Sequence, residues 1–385
     1  MDLKKLKNIV QSSHINFLFG SGLSRPYLGV LGQIETLLTE AEDITDEKIK
    51  ELVKTSLYAH YFKSVMKPCL GANAETQKSY NSVFDNYTLF LSTWNEIIAQ
   101  RNVGLLDKQV NIFTTNIDNF VELAAEEKGI EFNDGFKGRY NPVYREDSFT
   151  NVVSKVSTLY SNSAMIPVFN YLKIHGSINW VQGQDNEVHF DGQLKLIKEI
   201  AQKLELIDST VLFQFDDSKE HTIEQIREFA KNIANEQIPQ EVTDFTQKYN
   251  ELVMVNPRKT KFKETVLSLH FYELMRIFSN TLEQSTSLLF VAGFSFADEH
   301  ISKIFVREAN ANPTLLVLVF AYNTEAGDMI ESNLNKAGAL INNNVKIVTP
   351  EVYKEWMEDD WTKNLNVFDF ESLNKYVFQA LSNII

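Results

Sequence analysis

Residues 171–180, Tyr-Leu-Lys-Ile-His-Gly-Ser-Ile-Asn-Trp, end an apolar run on a histidine and turn at once through Gly-Ser. An imidazole changes charge near neutral pH, so His175 could accept a proton from a reacting hydroxyl or a water. Such a histidine can also be purely structural. Other apolar runs end in similar turns. Residues 17–19 lead into Gly20-Ser21-Gly22-Leu23-Ser24-Arg25, residues 112–114 into Thr115-Asn116-Ile117-Asp118, and residues 287–292 into Gly293-Phe294-Ser295. Glycines after a strand let backbone N–H groups approach an anion, and a helix start adds partial positive charge. Gly20, Gly22 and Ser24 are therefore candidates to cradle a phosphate, with Arg25 beside them to neutralise it. Asn116 and Asp118 could face a ligand, or could serve only to cap the helix that starts near Asp118. Asp298, Glu299 and His300 stand at a helix start, where carboxylates complement the dipole, and Asp298 and His300 read as structural.

These residues need strands to carry them. Short β-branched and aromatic runs predict strands over 15–19, 110–114, 171–174, 252–255, 287–292, 314–321 and 344–348. Most are apolar on both faces, as strands of a parallel sheet covered by helices must be. Helical patterns lie between them, at 119–128, 262–283 and 298–309. The alternation predicts a doubly wound α/β sheet with helices on both faces. Parallel sheets bind ligands at the carboxyl ends of their strands, where His175 and the other turns fall.

Two stretches break the alternation. Residues 33–101 read as helical throughout, with Ile49, Leu52, Val53, Leu57 and Tyr61 forming one apolar stripe. Residues 181–250 read as helical again after the polar turn at 182–186. Both are expected to be insertions that build a helical lobe over the carboxyl edge of a sheet domain spanning 1–350. The remaining segment, 351–385, holds Trp356, Trp361, Phe368, Phe370, Tyr376 and Phe378, an aromatic density that calls for docking onto the body or onto a neighbour.

Composition excludes several classes. The net charge is −14 over 385 residues, which argues against direct nucleic-acid binding. The basic run Arg258-Lys259-Thr260-Lys261-Phe262-Lys263 reads as a solvated loop edge. No apolar run approaches the roughly 18 residues of a membrane span, and the amino terminus begins a charged amphipathic helix rather than a signal peptide. A cytoplasmic location is expected. Cys69 is the single cysteine, so no intrachain disulfide and no four-cysteine zinc site can form.

Taken in order, these motifs resemble the NAD-binding signature of the sirtuin family. Gly20-Ser21-Gly22-Leu23-Ser24 is similar to its Gly-Ala-Gly-x-Ser, Thr114-Thr115-Asn116-Ile117-Asp118 to its Thr-Gln-Asn-Ile-Asp, and Ile174-His175-Gly176-Ser177 to its catalytic-histidine turn. Gly293-Phe294-Ser295-Phe296-Ala297-Asp298-Glu299-His300 and Asn256-Pro257-Arg258-Lys259 resemble the bacterial defence-associated branch, whose members destroy NAD. Two deacetylase features are missing: the zinc ribbon of paired Cys-x-x-Cys motifs, and Phe-Gly-Glu where Val253-Met254-Val255 stands. The resemblance implies a Rossmann-like sheet and hydrolysis of NAD, a substrate here, to nicotinamide and ADP-ribose, with no metal. It implies that His175 is the base, that Asn116 orients water or ribose hydroxyls, and that Asp118 faces the ribose. Gly20, Gly22 and Ser24 would hold the pyrophosphate and Gly293 and Ser295 the adenosine end, with Ser21, Arg25 and Thr115 also among the NAD-binding residues. It further implies a homo-oligomer, restrained or activated by a HerA-type ATPase partner in anti-phage defence. A deacetylase or ADP-ribosyltransferase on the same pocket, and a non-catalytic NAD or ADP-ribose sensor, are the alternatives.

Overall fold

The computed structural model describes residues 1–30, 32–101, 106–184, 187–216, 219–234, 238–255, 269–357 and 360–383. Its strands in chain order are β1 (His14–Phe19), β2 (Gln109–Thr114), β3 (Phe132–Asn133), β4 (Phe136–Lys137), β5 (Val143–Tyr144), β6 (Ser154–Val156), β7 (Ser163–Met165), β8 (Val168–Lys173), β9 (Gly176–Gln182), β10 (Val188–Phe190), β11 (Leu252–Met254), β12 (Ser287–Ala292), β13 (Leu316–Phe320) and β14 (Val345–Val348). The central sheet has seven strands in the order β14-β13-β12-β1-β2-β8-β3, and each pairing in it is parallel. From β1 the chain builds outward through β2 to β8, then returns to the other side of β1 for β12, β13 and β14. This is the doubly wound, Rossmann-like order, and its direction reverses between β1 and β12.

Both faces of the sheet are buried, for the reason the sequence gives: β1 alternates Ile15, Phe17 and Phe19 toward one core with Leu18 toward the other. Helices Leu3–Ser12, Gln77–Ala99 and Phe120–Lys128 cover the first face, and Leu269–Glu283, Glu299–Ala311 and Thr324–Ala337 the second. The interior is not wholly apolar. Asn16, Asn111, Asn170 and Asn133 stand side by side across β1, β2, β8 and β3. Each amide donates to its neighbour at 2.9–3.1 Å, and Asn16 Nδ2 completes the row on Ser287 Oγ. A buried amide left unpaired costs more than a slipped apolar contact, so this ladder fixes the register of the strands that carry the site.

The aromatic carboxyl-terminal segment docks on the body. Phe378 is 1% exposed and meets Phe17, Phe90, Trp94 and Phe290 edge-on at 5.6–6.0 Å. Phe378→Ala is expected to cost about 3–5 kcal/mol, seen as a lower denaturant midpoint. A loss below about 1 kcal/mol would mean that this segment is not part of the core.

The two helical stretches behave differently from the expectation. Helices Ile34–Ala41 and Glu47–Tyr61 do join Lys195–Leu206, Ile223–Ala234 and Gln240–Tyr249 in one separate core. Tyr58 and Tyr249 stack there at 4.5 Å, and Thr55 bonds Thr246 at 2.8 Å. Gln77–Ala99, however, packs on the sheet and not in the lobe. Residues 181–184 and 187–190 are also not helical: β9 runs through Gln182 and pairs antiparallel with β10. These strands belong to a five-stranded antiparallel sheet, β11-β9-β10-β5-β4, which takes the 252–255 run out of the parallel sheet. Strands of two or three residues carry too little periodicity to be read locally. The start of the predicted 262–283 helix, the Asn256–Lys259 motif and the basic run after it lie outside the described residues.

Candidate functional site

Four neighbouring strands, β12, β1, β2 and β8, deliver the four turns to one edge. At the point of reversal the turns that follow β1 and β12 touch backbone to backbone. Gly20 N–H donates to Ala292 O at 3.0 Å and Gly22 N–H to Gly293 O at 3.1 Å. A Cβ on Gly20 would stand 2.4 Å from Gly293 O, and one on Gly293, at φ +66°, would stand 2.8 Å from Leu23 N. The glycines are there so that two strand ends can meet. Two of the amides expected to face a phosphate are thus committed within the protein, while Arg25, Gly22, Gly293 and Ser295 are exposed at the rim with Ser21 and Thr115 half-buried.

Beneath that rim lies a buried polar cluster. Ser24 Oγ donates to Asp118 Oδ2 at 2.7 Å and lies 3.0 Å from Tyr87 Oη. Asn116 Nδ2 reaches Ser24 Oγ at 3.5 Å and Tyr87 Oη at 3.4 Å. Ser24 therefore sits under Asp118 instead of at the surface. Asn116 is 6% exposed and its Oδ1 has no hydrogen-bond partner among the described residues. An orphaned acceptor at that depth costs free energy that a bound hydroxyl would return. Asp118 Oδ1 accepts from Phe120 N–H at 3.2 Å, so the same carboxylate also satisfies the first N–H of the following helix.

A second network ties this turn to the histidine turn. Lys173, 2% exposed, donates to Asp118 O and to Ser177 Oγ, and pairs with Glu122 at 2.6 Å. Ser177 Oγ donates in turn to Ile117 O at 3.1 Å. Removing either charge would strand the other in the interior, so the pair holds the two turns at a fixed separation. Gly176 adopts φ +75°, and a Cβ there would meet Val253 O at 2.2 Å, so only glycine lets the chain turn into β9 after His175. His175 itself is partly exposed, and its Nε2 lies 3.1 Å from Asp298 Oδ2.

Burial pushes the Asp118 carboxyl up, and Lys173 and the Ser24 hydroxyl offset that push only in part. Above its ordinary 3.8 the unfolded carboxyl loses its proton before the folded one does, so stability falls as pH rises through the window between them. Asp118→Asn removes that cost. It is expected to raise the melting temperature at pH 7 while lowering any turnover that needs the carboxylate. A variant less stable than the parent at pH 7 would show that the Ser24 and Phe120 contacts outweigh the burial cost. The lone thiol nearby, Cys69, is held protonated by burial and by Asp118, which makes it a poor nucleophile.

Of the predicted site residues, the fold brings Asn116, Asp118 and Ser24 into direct contact, links them through Lys173 to the His175 turn, and closes Gly20 and Gly22 on Gly293. It adds Tyr87, Lys173, Glu122 and Asp298. Lys173 had a readable signal, an ionisable residue inside an apolar strand. Tyr87 had none, being one aromatic among several on a long helix. Two surface cavities, of 540 Å³ beside Leu3, Trp361 and Lys375 and of 630 Å³ on helix Thr324–Ala337, are lined by none of the residues of these turns. No group of three or more His, Cys, Asp or Glu able to hold a metal occurs among the described residues. No described helix is long and apolar enough to cross a membrane. No family model matches the chain, and a search of curated proteins finds no match.

Proposed function

We propose that the chain hydrolyses NAD at the bond between nicotinamide and ribose. The observation that carries this reading is the convergence of four separately read turns on the reversal point of the sheet, with the unpartnered Asn116 Oδ1 among them. In the reaction the C1′–N bond breaks, its electron pair leaves with nicotinamide, and a water oxygen bonds C1′ while its proton passes to a base. The transition state resembles an oxocarbenium ion, as in glycoside hydrolysis.

Each residue has one job in this scheme. Asn116 Oδ1 accepts a hydrogen bond from the ribose or the water. Asp118, kept in place by Ser24 and by the hydrogen bond from Phe120 N–H, presents negative charge where positive charge develops. His175 takes the proton. Arg25 and the exposed 293–295 turn flank the approach for the pyrophosphate and adenosine parts. Ile117 and Ile178, beside Asn116 and Ser177, are part of the lobe core, so the lobe grips the turns directly. That contact supports control from outside, by oligomerisation and by a HerA-type ATPase in anti-phage defence, a role that the resemblance to sirtuins brings to the proposal.

Nicotinamide release from NAD tests the reading, measured with and without an acetylated peptide and a protein acceptor. Turnover independent of acceptors is expected. Turnover that requires either acceptor would favour the deacetylase or transferase reading, and tight binding of NAD without any turnover the sensor.

A further inference from the structure

Asp298 lies on a turn that the structure pins from several sides. Phe296 is 1% exposed, packs between Phe294 and Phe305 at 5.0 and 4.8 Å, and holds φ +57°, a left-handed conformation unfavourable for a bulky residue. Ser302 Oγ donates to Phe296 O at 2.9 Å and Asn333 Nδ2 to Ser295 O at 3.0 Å. Strain of this kind persists only where the surroundings over-determine the backbone, and it gathers at working sites.

The two oxygens of Asp298 do different things. Oδ1 accepts the N–H groups of His300 and Ile301, each at 2.9 Å, and so caps helix Glu299–Ala311. A cap needs only that oxygen. Oδ2 lies 3.1 Å from His175 Nε2, across the site from a different strand, with the two side chains 24% and 20% exposed. His175 Nδ1 has no partner among the described residues.

We propose that Asp298 is a positioning residue that holds His175 through Nε2–H, leaving Nδ1 as the nitrogen that accepts the proton. The inference rests on the NAD-hydrolysis reading for its chemistry and on geometry for its pairing. Burial opposes ionisation of Asp298, but the bonds from His175 and Ile301 N–H, with His300 nearby, outweigh it and bring the carboxyl from 3.8 to about 2. The carboxylate is therefore charged throughout the neutral range. It keeps one tautomer of the ring and stabilises the imidazolium once the water proton has moved to Nδ1, without taking that proton itself.

Two variants separate the cap from the pairing. Asp298→Asn and Asp298→Ser both keep a side chain favoured at a helix start. In Asp298→Asn the amide can offer an N–H to Nε2, which would favour the opposite tautomer. The side-chain nitrogens of His175 should be read by ¹⁵N NMR at pH 8 without NAD, and kcat and KM for NAD measured separately. Expected are Nε2–H in the parent, its loss in Asp298→Asn, and a kcat lower by about a hundredfold or more with KM changed only severalfold. A parent ring protonated on Nδ1, an unchanged tautomer in Asp298→Asn, or a folded Asp298→Ser more active than the parent would overturn the pairing. The last result would mean that Asp298 masks His175. Should the parent protein cleave no NAD, the hydrolysis reading fails, and the pairing is still decided by the tautomer.

Discussion

His175→Ala and Asn116→Ala are each expected to lower nicotinamide release by at least about a hundredfold while leaving the fold intact. The separation of activity from stability follows from how each side chain is held. Asn116 makes only long contacts through Nδ2, at 3.4 and 3.5 Å, and its Oδ1 makes none. Truncation therefore removes an unsatisfied acceptor and little else. His175 is a fifth exposed and belongs to no apolar cluster, so its loss opens no core cavity. Far-ultraviolet circular dichroism and the melting temperature should stay near those of the parent. Near-normal turnover in a well-folded His175→Ala sample would remove the base from the mechanism.

Gly20→Ala should do the opposite, damaging fold and activity together. The added methyl would stand 2.4 Å from Gly293 O and 2.8 Å from Gly293 C and Phe294 Cα. All three are backbone atoms in a turn already pinned, so no side chain can swing aside. The β1 and β12 ends must separate, at about 1–3 kcal/mol for overpacking of this kind. Turnover should fall further than the unfolded fraction accounts for, because Asp298 and Ser24 reach the site from opposite sides of that seam. Gly129→Asn is the matched control: φ is +60°, nothing lies within 4 Å of the added Cβ, and asparagine tolerates the left-handed conformation. Unchanged stability and turnover in Gly20→Ala would show that the contact between the turns is dispensable.

These outcomes depend on features that sequence reading reaches unequally. A strand apolar on both faces followed by Gly, Asn or Ser declares itself within a few residues, because burial of both faces and the turn that ends it are local demands. That is why the ends of β1, β2, β8 and β12 were legible, and with them the sheet class. Residue 252–255 shows the limit of the same rule. Its apolar character is real, but the sheet it joins is chosen by β9, which Gly176 allows to approach within contact.

Sequence by itself determined six of the seven strands of the covered parallel sheet, all but β3, together with the residues at their carboxyl ends, and that an aromatic segment near the end of the chain must dock somewhere. Only the tertiary structure decided where that segment goes, which helices form the lobe, and that Gln77–Ala99 sends Tyr87 into the site instead. It also decided the pairings that govern chemistry: Ser24 with Asp118, Lys173 with Glu122, and His175 with Asp298. Periodicity fixes the face a side chain presents, since that depends on backbone geometry a few residues long. The partner it meets there depends on strand order and register across the whole sheet, which no local pattern contains.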